Sequence, residues 1–463
     1  MTFSVSSALA GAAGFGLAAA ATVALGLGAG PAVLYLVLVP AFLLWHARRA
    51  ELGPPALAAA DGASLAMVAV FLGRALNVAR LNAANPEEWD FQAFWLWGRA
   101  AALGLDPYLP ESIRLVNAGA AHTESFTATV VDVGFPYPPI TMLLLRPFGG
   151  FDISTGCLLW YLLHGLALAA AVWLLRRNVL ASDRWTDLVL AAGLLVALRP
   201  TQTTVHLAQT NFLILLAFAL YWRDRARARG GVWLALGLAV KPWVAILMLH
   251  PLIRRRWRVV ATALAATAGL FLLAAVVLGP EMVASYFRMQ MVSRMPGRYF
   301  SADVNQSLLG TILRFFHEAG SGPPDPRALF VPRLVFLAIA GSLVAVTVGL
   351  IHRLGEAHDD LAAGLTLALA LLVYPGTLYH YGVMTLAPLL WLWMERARLR
   401  VPAWIAAAVL TAYFVLVGGS HARHVFPAIA LVWCTLALLA VRTIRGRDRS
   451  PAEPAASAAG PAA

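Results

Sequence analysis

The sequence predicts an all-α polytopic membrane protein, built as a bundle of about 12 transmembrane helices with a re-entrant hairpin and interfacial helices in outer loops. Of its 463 residues, 60% are hydrophobic and 13% are charged. Soluble domains carry roughly 25% charged residues. The mean hydropathy is +0.73. Apolar stretches recur from one end of the chain to the other, so no soluble domain of ordinary size remains.

The candidate membrane helices are the apolar runs, because about 20 apolar residues cross the hydrocarbon core of a bilayer. They are residues 8–28, 31–45, 62–78, 153–175, 185–198, 212–222, 259–278, 330–351, 361–374, 381–394, 401–419 and 425–441. We expect residues 1–449 to form one transmembrane domain. The Ala- and Pro-rich residues 450–463 should form a disordered cytoplasmic tail.

The formal net charge of +12 comes from arginine clusters that separate the apolar runs. This is the pattern of the positive-inside rule. With these clusters in the cytoplasm, both termini are cytoplasmic too, and a long polar segment at about 82–134 faces outward. We expect a multi-pass protein of the bacterial plasma (inner) membrane. Nucleic acid is not an expected partner, since no basic stripe accompanies a soluble fold.

Residues 231–253 are bounded by arginine clusters at both ends, so both ends should lie on the cytoplasmic side. Lys241 and Pro242 stand at the middle of this stretch, and Lys241 is the only lysine of the chain. We predict a helical hairpin that turns near mid-membrane. An ammonium group at that depth is costly and usually functional. Lys241 could bind phosphate there, or it could snorkel to an interface.

Glu87, Glu88 and Asp90 open the long outer segment, in the sequence EEWDFQAFWLW. Carboxylates also suit an ordinary helix N-terminus, where they favour the helix dipole. The functional alternative is a general base at the membrane face, with Phe91, Trp95 and Trp97 as an interfacial apolar wall.

Two further polar groups fall on the predicted outer side. Arg199, His206, Gln209 and Asn211 lie in RPTQTTVHLAQTN, which could be an ordinary polar loop. His380 and Tyr381 lie in the turn YPGTLYHY, where the histidine could be structural or could carry a proton.

No P-loop, dinucleotide-binding, HExxH or Ser/His/Asp motif is present. Nucleotide-driven chemistry is therefore not expected. A reaction on the outer face would need an activated donor that is itself a membrane lipid.

Seven short motifs occur in the order found in glycosyltransferase family 87, also called DUF2029, of the GT-C superfamily. They are WDFQAFW, GLDPYLP, FPYPP, AQTNFLIL, LAVKPW with RRRWR, NQSLLGTI and YPGTLYHYGV. The chain resembles this family over well more than half its length. It departs from the pattern by two additional apolar runs before the first expected helix. It also reads LYHY where the family often has a tryptophan and paired histidines.

The resemblance implies a GT-C-type bundle that transfers a sugar, with mannose as the first candidate, from a polyprenyl-phosphate-sugar donor to a lipid or glycan acceptor, with inversion at the anomeric carbon. It implies Asp90 as the catalytic base, assisted by His380. The expected donor-phosphate ligands are Lys241, Arg199 and His206. Expected substrate contacts are Glu88, Tyr108, Tyr137, Gln209, Asn211, Asn305 and Tyr381. No cofactor is required; a metal ion could help but is not demanded.

Other functions remain compatible with these features. A transporter or lipid-linked-sugar flippase would also carry intramembrane charge and broken helices, although the hydropathy pattern shows no internal repeat. A related enzyme could move arabinofuranose or glucose. A non-catalytic scaffold is the third alternative. Covalent product distinguishes the enzymes from the transporter and the scaffold.

Overall fold

The computed structural model describes residues 54–84, 90–118, 137–180, 185–290, 303–316, 328–418 and 424–449, together with residues 36, 39, 40 and 43. These ranges are helical and contain no strand. The all-α prediction is therefore confirmed for them. The helices of the first half are α1 (Pro54–Ala84), α2 (Asp90–Ala102), α3 (Pro110–Ala118), α4 (Pro139–Gly149), α5 (Ile153–Asn178), α6 (Trp185–Ala197), α7 (Arg199–His206), α8 (Asn211–Asp224) and α9 (Arg229–Val240).

The remaining helices follow a 3₁₀ segment, Pro242–Met248, and two further 3₁₀ segments, Glu356–His358 and Tyr379–Thr385, interrupt them. They are α10 (Leu249–Ile253), α11 (Trp257–Leu278), α12 (Pro280–Gln290), α13 (Leu308–Phe316), α14 (Phe330–Arg353), α15 (Asp359–Val373), α16 (Leu386–Glu395), α17 (Ala403–Gly418) and α18 (Val425–Arg449). The tail 450–463 lies outside the described residues.

Four of the described helices are long and apolar enough to cross a bilayer: α5, α11, α14 and α18. Helices α6 and α7, bent by 66° at their junction, make a fifth span if they are taken together. The expected count of about 12 is not confirmed. Runs 8–28 and 31–45 lie almost wholly outside the described ranges. Several other runs form helices such as the 15-residue α15, which rises only about 22 Å against a core of about 30 Å.

The long helices expose large apolar side chains. Leu162 of α5 is 59% exposed, Leu272 of α11 is 67% exposed and Leu337 of α14 is 61% exposed. Apolar surface repeated on this scale would be a liability in water but is required against lipid. Together with the helix lengths, it establishes a multi-pass membrane protein.

Helix α15 lies at the centre of the bundle. All of its residues from Leu361 to Leu372 are buried, and most of them belong to the largest apolar cluster of the described residues. A helix that is apolar on every side requires neighbours on every side. Helices α14, α16 and α18 contact it along its length, with α10 and the segment Pro242–Met248.

The first residue of α15, Asp359, collects a network of basic side chains. Side-chain nitrogens of four residues lie within 3.1 Å of its carboxylate oxygens. The distances are 2.7 Å for Arg225, 2.9 Å for Arg256, 3.0 Å for His250 and 3.1 Å for Arg254. Arg225 follows α8, whereas the other three belong to α10 and the turn after it. The two ends of the chain segment between α8 and α11 therefore bind the same carboxylate.

Between these ends the chain forms the hairpin that the sequence predicts. Helix α9 runs 12 residues, or roughly 18 Å, and stops at Lys241, which is extended with φ −146° and ψ 131°. Pro242 explains the stop, because a residue before proline is disfavoured in the helical conformation. The chain then returns through Pro242–Met248 and α10. Its depth in the membrane stays a prediction.

The hairpin packs against α11 through a backbone contact at Gly231. A Cβ atom at this position would lie 2.3 Å from the carbonyl oxygen of Val259 and 2.5 Å from the amide nitrogen of Ala263. Both neighbours are backbone atoms of α11, so they cannot move without moving the helix.

We expect Gly231→Ala to lower the thermal unfolding midpoint in detergent, because overpacking a close contact costs roughly 1–3 kcal/mol. The control is Gly341→Ala on α14, where a Cβ atom would meet nothing within 4 Å. That change should leave the midpoint equal or higher, since alanine favours helix over glycine. Equal midpoints for Gly231→Ala and the unmodified protein would contradict the packing argument.

Candidate active site

Four separate parts of the chain meet around the tip of the hairpin. They are the first residue of α2, the turn between α7 and α8, the hairpin tip, and the segment Tyr379–Thr385. The polar residues they bring together are Asp90, Gln209, Asn211, Lys241, His380 and Tyr381. All six are among the residues that the sequence singles out.

Gln209 bridges the carboxylate and the ammonium group. Its Nε2 donates to Asp90 Oδ2 at 2.5 Å, and its Oε1 accepts from Lys241 Nζ at 3.2 Å. The two ends of one amide thus point to the two opposite charges. Asp90 and Lys241, 151 positions apart in the sequence, share one site.

The turn that carries Gln209 is held rigidly. Ala208 adopts a left-handed conformation with φ 52°, which is uncommon for a residue with a side chain. Its carbonyl oxygen accepts from the indole Nε1 of Trp160 at 2.8 Å. Non-glycine residues in this conformation concentrate where a functional geometry is imposed by the surroundings.

Asn211, the first residue of α8, supplies the second support of the ammonium group. Its Oδ1 lies 3.5 Å from Lys241 Nζ. Its Nδ2 donates to Thr204 Oγ1 at 3.0 Å and to the carbonyl oxygen of His380 at 3.2 Å. Asn211 therefore joins the hairpin tip to both α7 and the Tyr379–Thr385 segment.

Lys241 is 1% exposed, and its ammonium group lies 4.0 Å from the ring centroid of Tyr381. A cation above an aromatic face is stabilised by the ring quadrupole. Its two amide contacts are long, at 3.2 and 3.5 Å, so either can be exchanged for a better acceptor such as a phosphate oxygen. The hairpin tip is also fixed from the side, where Thr141 Oγ1 of α4 donates to the carbonyl oxygen of Ala239.

The pKa of Asp90 is raised above its usual value of 3.8. Burial is the largest cause, and the hydrogen bond from Gln209 and the positive charge of Lys241 oppose it. Asp90 as a whole residue is half-buried in the protein. A partly accessible carboxylate with a raised pKa is a better proton acceptor than an ordinary one.

His380 is 1% exposed, and neither of its ring nitrogens has a hydrogen-bond partner in the described part of the chain. Burial, followed by the charge of Lys241, lowers its pKa well below the usual range. The imidazole is therefore neutral at pH 7 and offers one donor and one acceptor. Buried polar atoms without partners are exceptional in folded proteins, so a ligand is a reasonable partner here.

Aromatic residues close the side of the site next to α2. The hydroxyl group of Tyr108 donates to the carbonyl oxygen of Tyr137 at 2.9 Å. The ring centroids of Tyr137 and Phe94 are 5.8 Å apart. The Tyr137 hydroxyl group is close enough to Asp90 for the two groups to interact electrostatically. The wall expected from α2 is wrong in one respect. The three aromatic side chains of that wall, Phe91, Trp95 and Trp97, are buried in an apolar cluster and do not face an interface.

Asn305 supports the Tyr374–Tyr381 turn through hydrogen bonds. Its Nδ2 donates to the carbonyl oxygen of Pro375 at 2.9 Å, and its Oδ1 accepts from the Ser307 amide at 3.0 Å. The backbone of Asn305 also forms an isolated antiparallel β-bridge with Leu378. These contacts explain Asn305 as a support of the turn, and a direct contact with substrate stays a prediction.

Arg199 and His206 lie elsewhere. They line a separate cleft between α1 and α7, together with Arg74 and Gln202, and no hydrogen bond within the described ranges joins either side chain to Lys241. Glu88 lies outside the described residues. Within the described ranges, no group of three His, Cys, Asp or Glu side chains is placed to hold a metal ion.

Sequence reasoning missed Thr204, Thr141 and Arg74. Thr204 and Thr141 are ordinary threonines in apolar or polar runs, and only the folded chain shows that they support Asn211 and the hairpin tip. Arg74 offered a signal, because it lies within the apolar run 62–78, close to the end that is predicted to be outside, against the positive-inside rule.

Comparison with known proteins supports the resemblance read from the motifs. The model of "Glycosyltransferase family 87" matches residues 135–375, just over half of the chain. Two curated relatives, both named alpha-(1->3)-arabinofuranosyltransferase and both from strains of Mycobacterium tuberculosis, are 32% identical over 142 residues. The alignment covers 29% of this chain and 32% of each relative, so it spans about a third of their length.

No solved structure matches the chain. The family match includes the turn that carries Gln209, the start of α8, the hairpin with Lys241 and the core helix α15. It ends at residue 375, just before His380 and Tyr381, and begins after Asp90. With the family model covering these supports of the site, the chain belongs to glycosyltransferase family 87.

Proposed function

We propose that this protein transfers a sugar, with mannose as the first candidate, from a polyprenyl-phosphate-sugar donor to a lipid or glycan acceptor at the extracytoplasmic face of the membrane. The observation that carries the proposal is the bridge from Asp90 through Gln209 to Lys241. It joins a carboxylate and an ammonium group through one amide, which supports the roles of proton acceptor and fixed cation. Sugar transfer from a lipid phosphate needs both groups.

Asp90 is the proposed general base. The acceptor hydroxyl attacks the anomeric carbon while the bond from that carbon to the phosphate oxygen breaks. The hydroxyl proton passes to the carboxylate, and the leaving group departs as polyprenyl phosphate. Attack opposite to the leaving group inverts the anomeric centre, so a β-linked donor gives an α-linked product. No second carboxylate nucleophile is needed for a single displacement.

Lys241 is the proposed partner of the leaving phosphate. Negative charge on the phosphate increases as the bond breaks, and a preorganised cation in a water-poor site stabilises that charge. The neutral His380 can donate a further hydrogen bond to a phosphate or sugar oxygen. Tyr381 fixes the ammonium group from its other side.

The remaining polar residues are proposed as sugar or acceptor contacts. Tyr137 has the best support, since it lies within electrostatic range of Asp90. Tyr108 holds the backbone of Tyr137, whereas Gln209 and Asn211 hold the two charges. Glu88 is proposed on its place in the sequence, two residues before Asp90.

The orientation in the membrane is proposed from the two ends of α15. Its first residue collects the arginines of the Asp359 network, and its other end leads to His380 at the active site. Arginine clusters favour the cytoplasmic side. The active site would therefore open on the opposite, extracytoplasmic side, where lipid-linked donors can reach it.

Arabinofuranose is the second candidate sugar, since the curated relatives are named as arabinofuranosyltransferases. The test is to supply the purified protein with radiolabelled polyprenyl-phosphate-mannose or polyprenyl-phosphate-arabinofuranose, together with lipid extract. We expect labelled lipid or glycan from the mannose donor. Product from the arabinofuranose donor alone would replace mannose in the proposal. Movement of label across proteoliposomes without covalent product would indicate the transporter instead.

We expect Asp90→Asn to reduce product formation by about 10²–10⁴-fold, because the amide cannot accept the hydroxyl proton. The matched control is Glu111→Gln, an exposed carboxylate on α3 whose side chain is 77% exposed. It should retain normal turnover. Both variants should keep the unmodified thermal midpoint. Full activity of Asp90→Asn would remove the residue from the role of base.

We expect the rate to fall as the pH is lowered through the pKa of Asp90, because only the ionised carboxylate accepts a proton. Since that pKa is raised, the acidic limb of the pH–rate profile should lie above 3.8. Lys241→Met removes a charge that lowers the pKa of Asp90, so its acidic limb should move to higher pH, and its KM for the donor should rise.

Lys241→Arg is the control for this shift, since it keeps a positive charge at the same position. Its acidic limb should lie nearer to that of the unmodified protein. An unchanged limb together with an unchanged donor KM in Lys241→Met would show that Lys241 has no part in the site.

A further inference from the structure

A second cationic site lies beside the proposed active site, between α1 and α7. It is a cleft with a cavity volume of about 110 Å³. Its lining residues are Arg74, Ala75, Val78, Arg199, Gln202, Thr203, Val205 and His206. This set includes two arginines and a histidine but no acidic residue. Arg74 and Arg199 both lie within electrostatic range of the His206 imidazole.

Helix α7 separates this cleft from Lys241. Residues 199, 202, 203 and 206 follow the helical spacing that places side chains on one face, and all four line the cleft. Thr204 belongs to a different face, where it accepts from Asn211 in the active site. One short helix therefore presents a cationic face to the cleft and a supporting face to the catalytic residues.

The position of Arg74 on α1 indicates what the cleft meets. The helix exposes Leu65, Leu72, Leu76 and Leu81, an apolar surface of the kind that suits acyl chains. An arginine on such a helix is costly unless a counter-charge is present. Neither Arg74 nor Arg199 forms an ion pair with any carboxylate in the described ranges; Arg199 reaches only Gln202, at 3.5 Å.

A contact at the C-terminal end of α1 shows where the cleft lies along this helix. Asn82 Nδ2 donates to the carbonyl oxygen of His206 at 3.2 Å, so the C-terminal end of α1 meets that of α7. Arg74 lies eight residues earlier, roughly 12 Å deeper along the helix. Gln209 of the active site follows His206 by three residues. The cleft thus lies beside the candidate active site, along the outer part of α1.

We propose that this cleft binds the phosphate of an anionic phospholipid of the surrounding bilayer, with Arg74 and Arg199 as its charged ligands. Guanidinium groups match phosphate oxygens in a two-pronged geometry, and Gln202 and Thr203 add neutral donors. The exposed leucines of α1 provide a surface for the acyl chains, which favours a lipid over free phosphate. The proposal assigns Arg199 and His206 to a bilayer lipid instead of the sugar donor, and it does not depend on the proposed reaction.

The test is lipid retention by the purified full-length protein, measured by native mass spectrometry after titration with phosphatidylglycerol or phosphatidylcholine. We expect selective binding of phosphatidylglycerol. The double change Arg74→Gln with Arg199→Gln should weaken that binding by about 30-fold, since each arginine near the membrane surface contributes roughly fivefold. The double change Arg74→Lys with Arg199→Lys should keep most of the affinity and reports on folding.

Arg80→Gln is the matched control. Arg80 lies on the same helix, where it donates to Asn77 Oδ1, and it is not part of the cleft. It should bind phosphatidylglycerol normally. Equal retention by the double glutamine variant would overturn the proposal.

Two competition arms identify the ligand. Inorganic phosphate that displaces phosphatidylglycerol at the same concentration would overturn the lipid assignment. Displacement by polyprenyl phosphate would indicate that the cleft binds the sugar donor, and it would also overturn the lipid assignment. Because all of these measurements report binding without turnover, a failure here is distinguishable from a failure of the proposed reaction.

Discussion

The Lys241 ammonium group is held inside an apolar bundle by ligands from two other parts of the chain. Gln209 and Asn211 provide amide oxygens, and Tyr381 provides a ring face. Removing a charge from water is expensive, and the cost is tolerable only when such partners are already in place. Every element that carries one of them must therefore arrive at the hairpin tip in register. The same arrangement brings Asp90 to the other end of Gln209.

The far ends of these elements are fixed by a second charged centre. Asp359 joins the residue after α8 to the basic residues at the base of the hairpin, while α15 extends from it through the core. The hairpin is thus fastened at its base by ion pairs and at its tip by amides. Between the two centres the contacts are apolar and close, as at Gly231. This gives the site rigid supports, which a preorganised electrostatic environment requires.

Much of this could be predicted from the sequence. Arginine clusters at both ends of residues 231–253, with a proline at the middle, were sufficient for the hairpin, and the pairing of Asp90 with Lys241 followed from the motifs. The bridge through Gln209 was not predictable, because a glutamine in a polar turn carries no signal of its partners. The sequence groups Arg199 and His206 with Lys241 because they are basic residues on the predicted outer side, where the donor phosphate is expected. The helical face that separates them depends on where α7 begins. The count of about 12 spans is not confirmed, since hydropathy does not show whether an apolar run forms a full span or a short, buried helix.

The most direct test of the account is a cryo-electron microscopy structure of the protein in a nanodisc with a non-transferable analogue of polyprenyl-phosphate-mannose. The account predicts the phosphate of the analogue within hydrogen-bond distance of Lys241 Nζ, with the open face of the anomeric carbon directed toward the Asp90 carboxylate. A phosphate bound in the cleft of Arg74 and Arg199, with Lys241 still bonded to Gln209 and Asn211 alone, would contradict it.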